Sequence, residues 1–156
     1  MLTEWILATA MAVFTAFFHL ACLAILVRIL RFRERLFRKL RIMPMMLLFA
    51  ATIGIVVIHG LEIWLYALLY LRLDALGQLE SALYFSLVTF STVGYGDVVL
   101  PHQWRILGAT EGPVGVIMLG WSTAFLISLL SQIRLLGEDW LAPLDEVLKQ
   151  TGAKHR

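Results

Sequence analysis

Thr92-Val93-Gly94-Tyr95-Gly96-Asp97 lies between two apolar helical stretches, and its residue types specify an unusual backbone. For successive carbonyls to point to one side of a chain, the dihedrals must alternate between ordinary and left-handed values. Gly94 and Gly96 enter the left-handed region without a Cβ penalty, so this spacing predicts a stack of carbonyl oxygens on one side of the loop. Thr92 adds a hydroxyl oxygen below the first carbonyl. Val93 and Tyr95 then turn the other way, where the Tyr95 hydroxyl needs a hydrogen-bond partner. Asp97 caps the outer end. Such a stack offers oxygens at hydration-shell spacing to a cation that has shed its water.

The surroundings decide whether the loop sits in water or in a membrane. Of the 156 residues, 60% are hydrophobic and 15% charged, with a mean hydropathy of +0.84, which is too apolar for a soluble domain of this length. The chain reads as an all-α integral membrane protein. Cys22 is the only cysteine and falls in an apolar run, which excludes an intrachain disulfide and suggests a small buried hydrophobe. The net charge of +2 is small, but Arg28, Arg31, Arg33, Arg35, Arg38, Lys39 and Arg41 are concentrated in one segment.

Trp5 to Val27 carries no formal charge and is long enough for one crossing, so residues 1–27 are expected to form a first transmembrane helix. Its basic residues follow the apolar run instead of preceding it, opposite to a cleaved secretory leader, so the segment is expected to be retained. His19 is expected to be a helix-face residue with a hydrogen-bonded ring. Residues 28–43 interleave their charges with Ile29, Phe32, Leu36 and Leu40 and read as a basic amphipathic helix. Arg35, Arg38 and Arg41 fall every third residue, as charges on voltage-sensing helices do, yet the preceding helix holds no carboxylate within it to partner them. The expectation is therefore a cytoplasmic juxtamembrane helix, with Arg28, Arg31, Arg35, Arg38 and Arg41 on anionic headgroups and the amino terminus outside.

A second span is expected from Pro44 to about Leu71, with Trp64, Tyr66 and Tyr70 suited to the outer interface. His59 and Glu62 share a helix face and begin a metal site, but two ligands are too few. Glu62 is expected to support the filter by contacting the back of the next helix or a neighbouring subunit. Leu79 to Ser91 is too short to cross and reads as a re-entrant helix whose carboxyl end directs partial negative charge inward. Non-helical backbone at that depth is tolerated only where it lines a cavity. Pro101, His102, Trp104 and Arg105 read as an outer linker, with Trp104 at the interface and Arg105 on headgroups or Asp97. Glu111, Gly112 and Pro113 are expected to open a last helix that runs to about Leu136. Residues 137–156, including a short helix from Pro143 to Gln150, read as a cytoplasmic tail too small for a regulatory domain.

The hexapeptide with its flanking helices resembles the pore of potassium channels, whose Thr-Val-Gly-Tyr-Gly run is itself the standard example of a carbonyl-lined filter. The resemblance covers residues 44–136 and implies an outer helix, pore helix, filter and inner helix, here with an additional amino-terminal span. It implies potassium ions bound at Thr92, Val93, Gly94 and Tyr95, with Gly96 completing the filter and Asp97 at the outer mouth. Tyr84 and Phe85 fall where aromatics of the family brace the filter, and Val88 where some members carry a glutamate. Gly120, or Gly115, corresponds to a gating hinge, with subunit packing as the simpler role. One chain carries one filter strand and a ring of oxygens needs four, so a homotetramer in the plasma membrane follows. The remaining alternative is a non-conducting subunit that assembles with another channel. No enzyme, nucleic-acid partner or cofactor beyond potassium is expected, His59 with Glu62 being the only constellation that starts an active site.

Overall fold

A computed structural model describes residues 2–37 and 43–136, and every regular element in them is helical. Helix α1 spans Leu2–Phe37, α2 Met43–Arg72, α3 Leu79–Phe90 and α4 Arg105–Leu136, with a 3-10 turn over His102–Trp104 leading into α4. Three helices are long and apolar enough to cross a membrane, over Leu2–Phe32, Met45–Arg72 and His102–Gln132. The fourth, Leu79–Phe90, is shorter. At 1.5 Å per residue it is only about 18 Å long and cannot cross.

Helix α1 does not stop at the arginines. A single helix carries both the apolar run and the start of the basic segment through Phe37, because the arginines and leucines there are good helix formers and nothing breaks the backbone hydrogen bonding. No break falls at the expected boundary between Val27 and Arg28. Arg38, Lys39, Arg41 and the tail from 137 onward lie outside the described residues.

Helix α2 ends in a left-handed cap. The Ala75 N–H reaches back to the Tyr70 carbonyl and the Asp74 N–H to that of Leu71, while Asp74 itself has φ +50°, the pattern that closes a helix and reverses the chain. A short turn then delivers the chain to α3. The inner helix starts two turns earlier than Gly112 and Pro113 suggest: α4 runs from Arg105 with Pro113 in its interior. Pro113 removes one backbone hydrogen bond, to the Ala109 carbonyl. The turns on either side of it are apolar and packed, so the helix continues.

The main core gathers Tyr66, Tyr70, Phe85, Phe90, Leu107 and Met118, with Ala8 of α1 among them. At the far end, Leu30 packs with Leu47 and Ala51, flanked by Phe125 and Leu129. Helix α1 therefore lies antiparallel to α2 and parallel to α4, with its amino end beside the pore helix. Trp104 packs against the main core.

Candidate functional site: the loop after the short helix

The last turn of α3 hands the chain to the loop through specific backbone hydrogen bonds. The Thr92 N–H donates to the Thr89 carbonyl at 3.0 Å, and the Gly94 N–H to the Val88 carbonyl at 2.9 Å. Val88 thus holds the loop with its backbone while its side chain is buried. Gly94 has φ +53° and Gly96 φ +76°, the left-handed values that the sequence predicts. Thr92 also lies there, at φ +63°, which the sequence does not reveal, because a threonine pays a steric penalty at that angle. Left-handed residues at 92, 94 and 96 alternate with Val93 and Tyr95. That alternation is the backbone condition for carbonyls that stack on one side.

Nothing lies within 4 Å of a Cβ added at Gly94 or Gly96. The demand for glycine there comes from the dihedral and not from crowding. The whole loop from Ser91 to Asp97 is exposed, with Tyr95 73% and Val93 52% accessible. The partner expected behind the Tyr95 hydroxyl is not supplied by the loop's own surroundings in a single chain.

The outer end is tied down locally. The Tyr84 hydroxyl donates to Asp97 Oδ2 at 2.7 Å, and this hydrogen bond is the first cause holding the Asp97 carboxyl below the usual carboxylate range. Of the two places expected for Arg105, headgroups or Asp97, the second is taken by a residue of the pore helix. Phe85 is buried and meets Tyr70 edge-to-face, with ring centroids 5.3 Å apart.

Helix α4 presents a strip of glycines to the pore helix. A Cβ at Gly108 would press on Leu100 and the Phe85 ring, and one at Gly112 would sit 3.5 Å from the Thr89 carbonyl oxygen. At Gly115 it would collide with the Phe90 carbonyl oxygen. Positions four and three apart share a helix face, so these glycines let α4 lie directly against the carboxyl end of α3. Gly115 is therefore a close-approach residue. Gly120 has open space around it and lies within continuous helix.

The buried carboxyl that meets the pore helix is Glu111, not Glu62. Tyr70 of α2 and Ser86 of α3 both donate to Glu111, and Ser86 Oγ also lies 3.0 Å from the Ile63 carbonyl oxygen. Three helices thus share one polar knot. Glu62 faces α1 instead, its Oε1 accepting from His19 Nδ1 and its Oε2 from His59 Nδ1, both at 2.8 Å. The sequence shows His59 and Glu62 on one face, but nothing in it brings in His19, 43 residues away.

A short non-crossing helix, a left-handed alternating loop and two flanking spans are the parts of a pore loop. No curated protein and no solved structure matches the chain. The family model described as "Ion channel" matches residues 42–132, more than half of the 156, and includes α3 and the loop with almost all of α2 and α4. On that match, whose residues hold two of the three apolar spans, the chain belongs to the ion channel family, as a pore-loop subunit of a membrane protein.

Proposed function

We propose that the chain forms a potassium-selective channel, four copies surrounding one pore lined by the carbonyls of Thr92, Val93, Gly94 and Tyr95. The observation that carries this reading is the alternation of left-handed backbone at Thr92, Gly94 and Gly96 in a Thr-Val-Gly-Tyr-Gly run. A dehydrated ion is held by successive rings of oxygens, and repulsion between ions in file offsets the binding that would otherwise trap them. The carboxyl end of α3 directs the negative end of its dipole toward the cavity where a hydrated cation waits.

Assembly as a homotetramer is supported by the loop's exposure: a filter strand with no partner is incomplete, and the ring needs four. In this reading the chain sits in a plasma membrane with the amino terminus and filter mouth outside, supported by the basic residues that follow the first span, which favour the cytoplasmic side. Arg28 and Arg31, both exposed near the end of the span, are suited to anionic headgroups.

Subunit counting tests the assembly. The chain expressed alone, cross-linked in detergent and reconstituted, is expected to migrate as a tetramer and to carry flux. A chain that stays monomeric, or forms tetramers only with another channel subunit, would overturn the homotetramer in favour of a co-assembling partner.

A further inference from the structure

Helices α1, α2 and α4 meet at a buried cluster that the filter does not use. His19 and Glu62 are fully buried and the His59 side chain is 12% accessible. His19 and His59 stack with ring centroids 5.4 Å apart, each giving its Nδ1 to one oxygen of Glu62. One ligand atom from each of the three residues lies within 4.8 Å of the others. On the opposite edge, Ser122 Oγ stands 3.1 Å from His59 Nε2 and 3.4 Å from His19 Nε2.

We propose that His19, His59 and Glu62 form a binding site for a divalent transition-metal ion of the zinc class, clamping the amino-terminal helix α1 to the outer helix α2. Two imidazoles and a carboxylate are a ligand set that suits zinc. Zinc holds such atoms at about 2.0–2.2 Å, which places tetrahedral ligands roughly 3.4 Å from one another. Each 2.8 Å separation joins one Nδ1 to its own oxygen of Glu62, so binding widens these pairs by about half an ångström, draws together the ligand atoms now within 4.8 Å of one another, and moves each ring proton from Nδ1 to Nε2.

Ligation through both Nδ1 atoms leaves both Nε2–H groups as donors, and the Ser122 hydroxyl has two lone pairs to receive them. That is the outer partner that fixes ring orientation in metal sites. The His59 ring also packs on Phe90, with centroids 5.9 Å apart, and Phe90 is the last residue of α3. An occupied site therefore braces the helix from which the filter springs.

The test uses the full chain, purified in detergent with a tag that contains no histidine and stripped with a chelator. Titration with Co2+ alone is expected to show a single saturable site per chain, with the visible absorption of a low-coordinate nitrogen–oxygen site, displaced by Zn2+. His59→Gln and Glu62→Gln are expected to weaken Zn2+ binding by at least about tenfold, while His102→Gln, at an exposed turn, leaves it unchanged. A folded wild-type chain that takes up no Co2+, or uptake that survives both substitutions, would overturn the site. Neither result bears on the filter, whose ions are read by flux.

Discussion

Gly94 concentrates the account into one dihedral. Its φ of +53° with open space around it means that an alanine there fits sterically against its neighbours but strains its own backbone, by about 1–2 kcal/mol in each chain. Gly94→Ala is expected to abolish selective conduction while the protein still assembles; unchanged selective flux would show that the loop does not work through stacked carbonyls. The Tyr84 tie to Asp97 gives a second test at this scale. Asp97 is held below its usual range chiefly by that hydrogen bond, so the stability it contributes is fully present above the ordinary carboxylate pKa of about 3.9 and is lost as pH falls through the lowered value. In Tyr84→Phe the Asp97 titration is expected to move upward, toward the ordinary range, in a carboxyl-resolved NMR titration. An unmoved titration would mean that Tyr84 does not hold the carboxylate.

Among the elements, the seat of the pore helix on α4 matters most, and it rests on glycines. Gly115→Ala sets a methyl group against the Phe90 carbonyl oxygen, a backbone atom that cannot move without shifting the filter. The expected cost is at least about 1–3 kcal/mol, measured as a lower thermal midpoint in detergent, whereas Gly120→Ala should leave the midpoint unchanged or raise it. Equal effects from the two would remove the close-approach role. The start of α4 was not legible in sequence because Pro113 resembles a first-turn residue, and only the packing of the preceding turns behind Phe85 and Leu100 keeps them helical. The spans themselves were legible, since apolar length is a local property. The end of α1 was not: charge marks where a helix leaves the hydrocarbon, not where its hydrogen bonding stops.

Across the whole molecule, α1 is more than an appendage to the pore. Its amino half packs in the same core as Tyr70, Phe85 and Phe90, and its only histidine reaches the carboxylate of Glu62. That partnership was hidden because periodicity tells which residues share a face but not which helix the face will meet. Glu62 was legible as a buried carboxyl needing protein partners, but Glu111, read only as opening the last helix, was not, and which of them meets the pore helix depended on the helix order around the core. The left-handed turns of the loop were the most legible part, because Gly94 and Gly96 carry that preference locally, with Thr92 the exception. In the proposed reading, selective conduction belongs to the assembly. The most direct measurement is the reversal potential of the reconstituted protein with potassium on one side of the bilayer and sodium on the other. A potential close to the potassium equilibrium value, with currents blocked by barium, is the expected result; a potential near zero with robust currents would contradict a carbonyl filter selective for potassium.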